Sequence, residues 1–131
     1  MENRVAMVAG DVVFSEMRDH TKLKAFQFAD EAALLVYQVT RKFPKEELYG
    51  LTSQIRRAAV SVPSNIVEGC ARSTIAEYRR FLEIAFGSAR EYHYQISLAH
   101  RIGCMDLDDF HLLDSKCEQL EKVLGSLLRS L

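Results

Sequence analysis

An all-α fold, an antiparallel up-down-up-down bundle of four helices, is what this sequence predicts, and three observations predict it. Apolar residues recur at steps of three and four through four successive stretches, the spacing that lines one side of a helix. The stretches are separated by short connectors carrying Pro44, Ser73, Thr74, Gly103 and Asp106, residues that stop or start helices. Across 131 residues there are 6 Gly, 2 Pro and no Trp, which leaves little turn chemistry for a β-rich chain. A chain of this length forms one domain with a core of its own.

The first helix is expected from Thr21 to Phe43. Phe26, Ala29, Ala33, Val36, Thr40 and Phe43 form its stripe, with Leu23, Ala25, Ala32 and Val39 beside it. Phe26, Tyr37 and Phe43 read as core packing. Thr21 or Asp19 supplies the cap, and Pro44 closes the helix by pushing its predecessor out of helical angles. Residues 1–19 stand apart: Gly10 and the pair Val12-Val13 weaken a helix there. They are expected to form a mobile or loosely docked arm reaching a neighbouring subunit, leaving residues 20–131 as the bundle.

Lys45 to Gly50 make a turn that places Glu46 and Glu47 near the positive end of the second helix. That helix carries Leu51, Ile55, Ala58, Val62 and Ile66 on one side, and Pro63 is expected to kink or interrupt it. Ser61, Ser64 and Asn65 can bond the backbone groups freed by the proline, and Glu68 completes this polar cluster. Gly69 is expected just beyond the helix end. In the third helix Thr74 and Glu77 form a capping box, followed by Ile75, Tyr78, Leu82, Ala85, Ala89, Tyr92, Ile96 and Ala99. Gly87 and Ser88 suggest a close contact there, since Gly costs about 1 kcal/mol against Ala inside a helix. Gly103 ends the third helix, and Asp106 or Asp108 caps a fourth with Phe110, Leu113, Cys117, Leu120, Leu124, Leu127 and Leu131.

Charge bears on the function classes. The chain carries a formal net charge of -1, which is uninformative taken whole, whereas a strongly basic balance would have argued for nucleic acid directly. From Leu51 to Arg101, however, seven Arg face four Glu, whereas Met105 to Leu131 is acidic. Arg56, Arg57, Arg72, Arg79 and Arg80 are the candidates for a phosphate-binding face, because the guanidinium fork suits phosphate oxygens. The competing reading pairs Glu68 with Arg72 and Glu83 with Arg79 across one helical turn. No aromatic platform for unpaired bases is evident, since most aromatics fall on the apolar seams.

Catalytic, cofactor and metal sites are not expected. Ser61 and Ser64 have no nearby His or Lys base in the sequence. His93 and His100 are seven residues apart, too far for one metal held at one-turn spacing, and Asp106, Asp108 and Asp109 lack the Gly and Glu of a calcium loop. Cys70, Cys104 and Cys117 show no metal-ligand spacing, and the odd count without an export signal points to reduced thiols and the cytoplasm. No stretch is long and apolar enough for a membrane span. Several helices carry more apolar surface than one seam needs, notably at Phe81, Ile84, Phe86 and Leu98. Either the core is wide or these residues meet other subunits.

QIRRAAVSVPSNIVEG and the downstream EYRRFLEIAFGSARE resemble the four-helix-bundle family encoded in intervening sequences of bacterial 23S ribosomal RNA genes. The accessory variability protein of diversity-generating retroelements is a more distant relative. FPKEELYGLTSQIRRA, SVPSNIVEG and YRRFLEIAFGS match the family pattern in order, and the likeness extends from Leu23 to the C-terminus. The resemblance implies a bundle that assembles into a homopentamer, with nucleic-acid binding in some relatives and no established activity in most. The first functional expectation is thus a non-enzymatic homo-oligomer holding RNA, DNA or a nucleoprotein through its arginines. The second is a protein-interaction scaffold with no nucleic-acid role. Neither involves a small-molecule substrate.

Overall fold

The computed structural model describes residues 18–131. Helix α1 spans Lys24–Thr40, α2 Leu51–Cys70, α3 Ile75–Arg101 and α4 Leu107–Arg129. Short 3-10 turns at His20–Lys22 and Lys45–Glu47 precede α1 and α2. The described residues contain no strand. The helices touch in a closed circuit, α1 on α2, α2 on α3, α3 on α4 and α4 back on α1, as a four-helix bundle requires. Contacts between α1 and α4 run in opposite order along the two: Glu31 on α1 meets Lys116, and Lys42, just past the end of α1, meets the earlier Asp109.

The core is the set of stripes read from the sequence. Val36, Ile55, Val62, Ile66, Leu82, Ile96, Leu113, Leu120 and Leu124 are all fully buried. Aliphatic side chains at one-turn spacing on four facing helices interdigitate, and removing that area from water drives the assembly of the helices.

The helix ends follow local chemistry. Thr74 Oγ1 accepts from the Glu77 amide at 3.2 Å, and Asp106 Oδ1 accepts from the Asp109 amide at 2.8 Å. At the end of α3, Gly103 adopts φ +89°, the Gly103 amide donates to His100 and the Cys104 amide donates to Ala99 at 2.8 Å. This left-handed closure is the reason a glycine stands there. The first helix begins later than expected, since Asp19 caps the 3-10 turn by accepting from the Thr21 amide and Leu23 precedes α1 without a side-chain cap. The predicted arm, 1–19, lies outside the described residues apart from Arg18 and Asp19. Arg18 donates to the Arg72 carbonyl and lies over the Tyr78 ring at 4.5 Å.

Helix α2 runs unbroken through Pro63, so the proline does not interrupt it. Gly69 is a correction of a different kind. It lies inside α2, buried, where a Cβ would come within 3.0 Å of the Phe81 Cβ and 3.4 Å of the Tyr78 ring. Its role is close approach of α2 to α3 rather than capping. Gly87, expected at a crowded contact, has nothing within 4 Å of the Cβ position.

Candidate nucleic-acid interface

The five arginines do not form one patch in a single chain. Arg56 and Arg57 sit in the first half of α2, whereas Arg72 lies past its end beside Arg79 and Arg80 on α3. Thirteen residues of helical rise, roughly 20 Å, separate Arg57 from Cys70 at the helix end, and Arg72 lies beyond it.

At the far end each arginine is engaged. Arg72 pairs with Glu68 at 3.9 Å and lies over the Phe81 ring at 4.7 Å. Arg80 reaches Glu77 at 3.4 Å and covers the same ring, also at 4.7 Å. Arg79 donates to the Leu128 carbonyl at 3.0 Å and sits 3.9 Å from Glu83. The guanidinium planes cover an aromatic face and close the seam between helices. Phe81 is therefore 9% exposed within its own chain.

The near end differs. Arg56 Nε donates to Thr40 Oγ1 at 2.8 Å, and its guanidinium stacks 4.7 Å from the Tyr37 ring centre. Thr40 is itself anchored through its hydroxyl, which donates to the Val36 carbonyl at 2.7 Å. Arg57 is exposed, and no carboxylate among the described residues lies within ion-pair distance of it. Tyr37, Leu48, Tyr49, Ser53, Arg56 and Arg57 line an open groove of about 390 Å³. Tyr37 is 40% exposed and Tyr49 93% exposed. Tyr37 departs from its expected core packing, while Tyr49 lies outside the predicted stripes. Tyr37 sits one position past buried Val36, which turns its ring out of the stripe. Glu47, from the turn before α2, directs its Oε1 onto the Leu51 amide at 3.2 Å.

The polar cluster around Pro63 divides three ways. Asn65 Nδ2 donates to the Ser61 carbonyl at 2.8 Å and lies 3.0 Å from Ser61 Oγ, which in turn meets Ser88 Oγ at 2.9 Å across the α2–α3 seam. Glu68 is occupied by Arg72, and Ser64 is exposed. The carbonyl stripped of its donor by Pro63 is that of Ala59, so Asn65 serves a different turn. Of the surplus apolar residues, Phe86 and Leu98 lean half-buried on the core, while Ile84 stays 41% exposed.

Sequence reading missed a clamp on α3 and α4. His93 Nδ1 lies 2.7 Å from Glu121 Oε2, and His93 Nε2 lies 2.7 Å from Asp114 Oδ1. Arg90 adds a contact to Glu121 at 3.2 Å. Burial works against the charged imidazole, but hydrogen bonds to both carboxylates outweigh it and raise the His93 pKa. The partners are 21 and 28 residues away, so linear spacing carries no signal for them. Both ring nitrogens are used within this clamp, and no group of three or more His, Cys, Asp or Glu among the described residues is placed to hold a metal ion. Burial pushes the Cys117 thiol up to about 12 and raises the Cys70 thiol, which makes both poor nucleophiles. No helix among the described residues is long and apolar enough to cross a membrane.

These features define a helical bundle with one arginine group beside glutamates and one lining a groove that has no carboxylate in its walls. The chain belongs to the family of 23S rRNA-intervening sequence proteins, whose pattern matches residues 21–126. Its fold is similar to that of a Bacteroides thetaiotaomicron protein of unknown function from the S23 ribosomal protein family. The TM-score is 0.75 at 19% identity, and the match covers 89% of this chain and 99% of that one. No curated protein matches the sequence.

Proposed function

We propose that the protein is a non-enzymatic homo-oligomer, a pentamer in the favoured form, that binds nucleic acid or a nucleoprotein through its arginines. The observation that carries this reading is the Arg56–Arg57 groove, where two guanidiniums and two exposed tyrosines meet without a lining carboxylate. Arginine holds phosphate oxygens through its donor fork, and counterion release makes such binding fall with salt. Repetition around an oligomer would multiply a modest single-chain charge into a multivalent surface. Family membership supports the reading, since intervening sequences of ribosomal RNA genes tie the family's name to RNA.

A protein scaffold is the second reading, favoured by the outer face of α2. Val60, Ser64, Val67 and Ala71 lie there at one-turn spacing, uncharged and open to the outside. Light scattering with and without added RNA and DNA tests both readings. The nucleic-acid reading expects a mass of several subunits, binding at low salt and a linear loss of log affinity with log salt. An oligomer that ignores nucleic acid at low salt supports the scaffold instead. A monomer in every condition removes the assembly from both.

A further inference from the structure

We infer that the groove between Tyr37, Tyr49, Arg56 and Arg57 receives unpaired bases of a single nucleic-acid strand, with Tyr49 stacking on a base and Arg57 meeting a neighbouring phosphate. The inference rests on the nucleic-acid reading above and names its ligand more narrowly.

Four observations converge on an unpaired base. Tyr49 is almost fully exposed, more so than Tyr94 at 60% or Tyr37 at 40%, whereas Phe81 is covered by Arg72 and Arg80. Tyr37 is held rigid on one face by Arg56, whose position is fixed by the buried Thr40 hydroxyl. Planar groups fixed in advance lose little entropy on stacking. Arg57 stands at the rim of the same groove. Finally, two other grooves that contain Arg also contain a carboxylate. Glu91 shares the one with Arg57, Ser61 and Ser88, and Asp114 shares the one with Arg90 and Tyr94. A phosphate would meet repulsion in those grooves and none from the walls of this one.

The combination also separates single strands from duplexes. A duplex keeps its base faces stacked and offers phosphates and groove edges, for which Tyr49 has no use. A single strand offers free base faces, which stack on aromatic rings with little regard to sequence.

Fluorescence anisotropy on the full chain tests the inference, using labelled oligouridine of roughly twelve nucleotides and an RNA duplex of equal length. Tyr49→Ala should weaken single-strand binding about tenfold, Tyr49→Phe should restore it, and neither should alter duplex binding. Tyr49 is so exposed that its loss leaves the fold intact, which circular dichroism verifies. If Tyr49→Ala changes nothing while Arg57→Glu weakens single strand and duplex alike, the stacking is overturned and the arginine reading stands. If neither nucleic acid binds at low salt, both the stacking and the nucleic-acid reading fall.

Discussion

The two arginine groups of this bundle are built from the same side chain and do different things. Arg72, Arg79 and Arg80 close the end where α2 meets α3: two of them roof Phe81, one ties α3 to the Leu128 carbonyl, and all lie near glutamates. Arg56 and Arg57 leave an open groove at the other end, between two exposed tyrosines. The difference teaches that a count of arginines says little about phosphate binding. What decides is whether a carboxylate already lies beside the guanidinium, as it does for Arg72, Arg79 and Arg80.

The largest expected effect lies at the closed end. Gly69→Val should cost about 2 kcal/mol in urea unfolding, because the new side chain meets the Phe81 Cβ and Tyr78 ring in a packed interface. Gly87→Ala should instead stabilise by about 0.5–1 kcal/mol, since the helix gains propensity and the site is open. Equal responses at the two glycines would break the contrast between closed and open surfaces.

The His93 clamp, between the two ends, should show itself as a pH dependence. Its folded pKa is raised above the ordinary value of 6.5. The stabilisation is therefore fully present below the unfolded value and lost as pH rises through the folded one. His93→Gln should destabilise by about 1.5 kcal/mol near pH 6 and remove the fall in stability that the parent shows as pH rises past the ordinary histidine value of 6.5. A variant whose profile parallels the parent's would place the proton elsewhere.

The smallest effects sharpen the arginine comparison directly. Arg79→Ala should lose about 1 kcal/mol with its bond to the Leu128 carbonyl. Arg57→Ala should stay within about 0.5 kcal/mol of the parent, as an exposed side chain without an ion pair contributes little to folding. Chemical denaturation of the pair measures both, and a larger loss at Arg57 than at Arg79 would reverse the assignment of roles.

Much of this was legible in the chain. The four stripes, the Thr74 and Asp106 caps and the Gly103 stop depend on neighbours within one or two turns, so linear spacing reports them. The Glu68–Arg72 and Glu83–Arg79 pairs were legible for the same reason. Gly69 was misread because a glycine near a helix end and a glycine beneath another helix look alike in sequence. Tyr37 was misread because one position of rotation, about 100°, separates the seam from the surface.

By itself, then, the sequence determined the helices, their ends and the residues they bury, since those follow from periodicity and short-range hydrogen bonding. Only the tertiary structure decided which arginines are spent on packing, which ring lies open and which carboxylates grip His93. Each of those depends on partners brought together from different helices, at separations where pattern in the chain carries no distance.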